Sequence, residues 1–163
     1  MEQLDKVYAK MVEYEAGNSH RIQHFVKVHD FAAFIGRGEG LSPELQRTLE
    51  AAAYVHDIGI KPAIEKYGNG HGKNQEELGP APARELLGEC GFDAETIERV
   101  AYLVGHHHTY DNIDGPDYQI LVEADFLVNL HEGNSDKETI RSTYEKIFKT
   151  ETGKWLCRTM FGL

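Results

Sequence analysis

Residues 51–60 read Ala-Ala-Ala-Tyr-Val-His-Asp-Ile-Gly-Ile. A run of small and apolar residues leads into an adjacent imidazole and carboxylate. Upstream, Ser42-Pro43-Glu44 has the form of a helix start, with serine at the cap and proline at the first position. Leu45, Leu49, Ala52 and Ala53 then repeat at helical spacing. The stretch therefore predicts a helix ending at about His56-Asp57. Gly59 is expected to allow a tight turn just beyond, and Pro62 to mark a break. An imidazole and a carboxylate at neighbouring positions can give one ion a nitrogen and an oxygen, although His-Asp dipeptides also arise by chance.

The rest of the chain has the same helical period. A first helix is expected over Glu2 to about Ala16, ending at Gly17. Asn18 or Ser19 caps a second, in which His20, His24 and Val28 follow at four-residue steps and share one face. Glycines at 36, 38 and 40 end it. Residues 68–72 form a loop around His71. A helix over about Gln75–Glu89 is bent or divided at Pro80 and Pro82. Asp93 caps a helix running to about His106. Asp111–Asp117 is a polar turn, and Tyr118 to about His131 is strongly apolar. Closing helices are expected over Asp136–Phe148 and Gly153–Phe161. Strand-like alternation is nearly absent, so the fold class is all-α, a single domain of about seven to nine helices over residues 1–163.

Composition narrows the functional classes. The chain of 163 residues has 17 Lys+Arg against 27 Asp+Glu, a formal net charge of −10. Such a chain is a poor binder of nucleic-acid polymers or anionic membranes. No apolar run approaches the roughly 20 residues of a membrane span, and the start, MEQLDKVYAK, lacks a signal-peptide core. Cys90 and Cys157 are far apart and read as reduced thiols of a cytoplasmic protein. The C-terminal stripe Trp155, Leu156, Met160 and Phe161 reads as core, with a dimer surface as the alternative. The chain is expected to be a monomer or homodimer.

Nine histidines are the most informative feature. His24 lies on an early helix, His56-Asp57 at a helix end, His71 in a glycine loop, and His106-His107-His108 at another helix end. Asp125 sits inside the apolar run ILVEADFLVNL of residues 120–130. An ionised carboxylate on that buried face is costly unless a cation faces it. Imidazoles together with carboxylates suit zinc, iron, manganese and similar divalent ions. Facing helices of a bundle are where such sites are built.

The ordered set His24, His56-Asp57 and Asp125 resembles the HD-domain superfamily of metal-dependent phosphohydrolases. HFVKVHDFA around His24 is similar to its His-x-x-Arg/Lys-Val-x-x-x-Ala segment, AAAYVHDIGI to its His-Asp helix end, and EADFLVNL to the helix of its last aspartate. HGKNQEELGPAPARELL and GHHHTYD resemble the segments of members with additional histidine ligands. The resemblance spans about Ser19 to Leu130 and says little about substrate. DNIDGPDYQ lacks the Gly-Tyr-Pro of the HD-GYP branch, and the lysine of that branch's HDIGK would fall at Ile60. Cyclic-di-GMP is therefore discounted.

By that resemblance, His24, His56, Asp57 and Asp125 would hold one ion. Asp57 as bridge, with His71, His106 and His107, would hold a second. Spacing to Asp111 favours the His106-His107 doublet, with His107-His108 as the alternative. His20 falls where trinuclear members carry a glutamate ligand, and reads here as support for the cluster. The implied cofactors are two divalent ions among Fe, Mn, Zn, Ni and Mg. The implied reaction is hydrolysis of a small phosphate ester, a nucleotide among the candidates, by a metal-activated water at a dinuclear centre. Asp57, Lys61 and His108 are the expected catalytic residues, and Lys27, Lys61 and Lys73 the expected phosphate contacts. Rival readings are a di-iron oxygenase on the same scaffold and a non-catalytic module that binds metal or nucleotide.

Overall fold

The computed structural model describes residues 1–163 as ten helices without strands: α1 (Gln3–Tyr14), α2 (Ser19–Gly38), α3 (Pro43–Val55), α4 (Ile60–Tyr67), α5 (Gly72–Leu78), α6 (Pro80–Glu89), α7 (Ala94–Val104), α8 (Pro116–Glu132), α9 (Lys137–Ile147) and α10 (Glu151–Phe161). The all-α expectation holds, with one helix more than expected. The extra helix is α4. Pro62 falls in its first turn, where a backbone N–H has no intrahelical partner, so the proline starts a helix instead of breaking one. Pro80 does divide its region: Gly79 ends α5 and Pro80 opens α6. Two of the capping expectations hold, whereas Asp93 stands at the start of α7 but makes no capping bond and accepts instead from the Thr96 hydroxyl. Asn18 accepts from the Arg21 N–H, and Ser42 from the Leu45 N–H.

α3 and α8 form the centre. α2 lies along both, α7 packs on α3, and α6 backs α7. Ala51, Ala52 and Ala53 are fully buried, because small side chains let the neighbouring helices approach α3 closely. α8 is buried on nearly every face, from Ile120 through Leu130. One apolar cluster of 29 buried residues includes contributions from α1, α2, α3, α6, α7, α8, α9 and α10. Burial of this apolar area is the main force closing the bundle. α4 and α5 contribute nothing to that cluster and instead wall one end of α3. No helix is long and apolar enough to cross a membrane. Both cysteines are buried and free. The C-terminal stripe is split. Leu156 and Phe161 pack on the core, while Trp155 is 49% exposed beside Phe34.

Gly59 has a different role from the one its position suggested. Its φ is −73°, which any residue adopts, so turn geometry does not demand glycine. A Cβ there would lie 2.8 Å from the Gly79 nitrogen and press on the Gln75 carbonyl. Both are backbone atoms of the α5 segment. The glycine is needed because α5 crosses directly over the His56-Asp57 turn.

A candidate metal centre at the end of the central helix

His56 stands just past the last turn of α3, where backbone carbonyls have no intrahelical donor. Its Nδ1–H takes one of them, the Ala53 carbonyl, at 2.8 Å. His107 repeats the arrangement after α7, donating from Nδ1 to the Val104 carbonyl at 2.8 Å. His24 Nδ1 lies 2.8 Å from Glu132 Oε1. In all three rings Nδ1 is engaged outward, so in the neutral ring the proton sits there and Nε2 presents a lone pair inward.

Those lone pairs converge on carboxylates. His24 Nε2 and His56 Nε2 are 3.2 Å apart. Asp57 Oδ2 is 3.1 Å from His24 Nε2 and 3.5 Å from His56 Nε2. Asp125 Oδ1 is 3.2 Å and 3.3 Å from the same two nitrogens. It nevertheless has no hydrogen-bond partner and no solvent contact. Asp57 Oδ1 turns the other way, 3.0 Å from His107 Nε2. The potential ligand atoms of His24, His56, Asp57 and Asp125 lie within 4.8 Å of one another, and so do those of Asp57, His107 and His108.

Buried acceptors facing each other without a donor are unstable unless a cation joins them. His56 is fully buried, and Asp57 and Asp125 are 7% and 3% exposed. The set therefore fits a divalent metal ion, and the mixed nitrogen and oxygen donors suit a transition metal. The ionisation behaviour shows the same demand for positive charge. Burial would lower the His24 pKa, but the Asp125 and Asp57 carboxylates outweigh it and raise it to about 11. Burial likewise opposes the charge on Asp57, yet His56, His107 and His24 hold its carboxyl well below the usual range. Asp125 is held low by His24 and His56. In His107, Asp57 outweighs burial and the pKa rises.

His108 differs. Burial, followed by the His107 charge, lowers its pKa to about 4. A neutral imidazole at neutral pH suits a metal ligand. Its ring meets Gln75 Oε1 at 3.0 Å. Its backbone N–H donates to Glu76 Oε2 at 3.0 Å, and Thr109 Oγ1 donates to the same oxygen at 2.9 Å. Tyr118 Oη lies 2.7 Å from the His106 carbonyl and also reaches that of Thr109. Glu76 and Tyr118 thus hold both sides of the turn that presents His107 and His108.

The structure does not bring every expected residue together. His106 is outside both groups: its Nδ1 bonds the Tyr102 carbonyl at 2.7 Å and its ring stacks on Tyr102. His107-His108, not His106-His107, is the doublet facing Asp57, because the turn after α7 brings His108 to the Asp57 side and leaves His106 stacked on Tyr102. His71 is exposed at the start of α5 and in neither group. Lys61 Nζ donates to the Tyr14 carbonyl at 3.1 Å and lies over the Tyr14 ring. Lys27 Nζ is 3.8 Å from Glu132 Oε2, and Lys73 is exposed. None of these lysines lines the cleft above the cluster.

That cleft, of about 230 Å³, is lined by His20, Arg21, His24, Asp57, Ile60, Gln75, His108, Asn129 and Glu132. Arg21 and Glu132 were not among the sequence candidates. A signal for Glu132 was present: Asp125, Asn129 and Glu132 follow at four and three residues, one face of a helix. Arg21 lies three residues before His24, on the same side of α2.

The fold and this cluster together define an all-α bundle built around a buried histidine-carboxylate cluster suited to a metal ion. The family model for the HD domain matches residues 21–149, and the chain belongs to the HD-domain family. Among solved structures, the chain is similar to a crystal structure described as a predicted HD superfamily hydrolase from an uncultured Thermotogales bacterium. The two share 24% identity over 98% of this chain and 83% of that one, with a TM-score of 0.65. No curated protein matches the chain.

Proposed function

We propose that this protein is a metal-dependent phosphohydrolase that cleaves small phosphate esters at a dinuclear centre. Membership of the HD family and likeness to a chain described as a hydrolase support a hydrolytic role. The observation that carries the two-metal reading is the division of Asp57. One carboxylate oxygen faces His24 and His56, and the other faces His107. A residue shared in this way by two ligand groups is the natural bridge of a two-metal site.

In this reading His24, His56, Asp57 and Asp125 hold one ion, and Asp57, His107 and His108 hold the other. Fe, Mn, Zn, Ni and Mg are the candidate ions. When bound, the ions supply Lewis acidity to the phosphoryl group and to the attacking water. The chain supplies the rest. Glu132 fixes the His24 ring through Nδ1, and the Ala53 and Val104 carbonyls fix those of His56 and His107. Arg21 places a fixed positive charge on the cleft wall for a phosphoryl oxygen, and the Asn129 amide adds a donor beside it.

The test is elemental analysis of tag-free protein after reconstitution with manganese, together with phosphate release from a panel of monoesters. About two ions per chain and metal-dependent release are expected, with release lost in Asp57→Ala. Two bound ions with no release across the panel would replace this reading with a metal-binding module.

A further inference from the structure

A second cleft, of about 250 Å³, opens beside the metal cleft. The two share Arg21 and Ile60 as a common wall. The second is otherwise built from the end of α1 and the first turns of α2 and α4. Tyr14, Ile60 and Ile64 provide apolar surface, and Glu15, Arg21, Lys61 and Glu65 the charges.

Glu15 is the unusual member. The residue is 5% exposed, its carboxylate makes no ion pair with any Lys, Arg or His, and its Oε1 is out of solvent without a hydrogen-bond partner. Burial pushes its carboxyl up, against the pull of Arg21 and Lys61. A buried acceptor without a donor is uncommon in a native fold and calls for a partner, and this one belongs to a residue that lines a cleft. The Lys61 ammonium is already held by the Tyr14 carbonyl and ring. Arg21 forms no ion pair within the protein and stands at the junction of the two clefts. Two acids and two bases leave this cleft without net charge, which favours a neutral ligand over an ammonium or a second anion.

We propose that the Glu15 cleft is a subsite for the organic half of the substrate, and that it takes a neutral planar group bearing N–H donors. Glu15 accepts from those donors, and Tyr14, Ile60 and Ile64 cover the flat apolar faces. Arg21 holds a phosphoryl oxygen where the two clefts meet. The phosphate half of this assignment rests on the phosphohydrolase reading, whereas the chemistry of the Glu15 cleft stands on its own residues. A site of this kind discriminates strongly, because a ligand without the donors leaves the buried carboxylate unpaired.

Manganese-loaded full-length protein is assayed with guanosine 5′-monophosphate, which carries N–H donors on a flat base, and with ribose 5-phosphate, which has no base. A kcat/KM ratio of about tenfold or more in favour of the nucleotide is expected. That ratio falls to about threefold or less in Glu15→Gln. Glu15→Asp, which keeps the charge but withdraws it by one methylene, gives an intermediate ratio. A ratio near one in the wild type, or a ratio unchanged in Glu15→Gln, overturns the subsite while phosphate release upholds the hydrolase. If neither ester is hydrolysed, calorimetry with guanosine alone decides the subsite. Binding weakened about tenfold in Glu15→Gln supports it, and absence of binding to the wild type, or equal binding to both, overturns it.

Discussion

Replacing Asp125 by asparagine tests the centre through stability, without any assumption about substrate. The substitution is nearly isosteric on a residue that is 3% exposed. It removes one negative charge from a cluster whose nitrogens lie 3.2 and 3.3 Å from Asp125 Oδ1. A metal bound only by the folded state stabilises it by about 2.7 kcal/mol at a hundred times its Kd. For a chain of this length each kcal/mol moves Tm by about 2–4 °C, so the wild type should gain about 5–11 °C. Loss of a charged ligand should weaken affinity at least about a hundredfold, since removing a group that merely orients a ligand already costs 10–100-fold. At the same metal concentration the variant then gains only about 0.4 kcal/mol, or about 1–2 °C. Differential scanning calorimetry with manganese and with chelator measures both shifts. An Asp125→Asn protein that keeps the full metal-dependent gain, or a wild type indifferent to metal and chelator, would refute the reasoning.

Other expectations follow from the same geometry. Glu132→Ala frees the His24 ring and should weaken metal binding by about 10–100-fold in a metal titration, while the helical content stays unchanged. In the metal-free protein the raised His24 and His107 values mean that the folded state binds more protons than the unfolded chain above pH about 6.5. This stabilisation is therefore complete below that pH and is lost as pH climbs through the folded value of about 11 for His24. Thermal scans should show Tm falling over that window, and falling less when metal replaces the proton. Tyr118→Phe leaves the His106 and Thr109 carbonyls without the hydroxyl, which should cost about 1–3 kcal/mol and lower the metal count toward one by elemental analysis. Gly59→Ala forces a methyl against the α5 backbone and should destabilise by about 1–3 kcal/mol in urea denaturation, despite the good helix propensity of alanine.

The sequence by itself determined the all-α class. Helical spacing, Asn18 and Ser42 caps and the proline-glycine punctuation are local properties, expressed by each segment before it packs. It also drew attention to His56, Asp57 and Asp125, because an aspartate within an apolar helix and a His-Asp pair at a helix end are costly without a partner, and the family resemblance added His24. Local reasoning missed α4, whose proline starts a helix, and it gave Gly59 a turn when its neighbour is the α5 backbone. What only the tertiary structure decided is which atoms meet. The turn after α7 selects His107-His108 over His106-His107, because it carries His108 toward Asp57 and leaves His106 on Tyr102. The packing of α2 on α8 sets Glu132 behind His24. The close approach of α1 to α4 ties Lys61 to Tyr14, outside the lining of the cleft above the cluster, and leaves Arg21 on that cleft's wall without an ion pair. Each of these depends on contacts between residues separated by tens of positions, and helical period carries no record of the angle at which one helix crosses another.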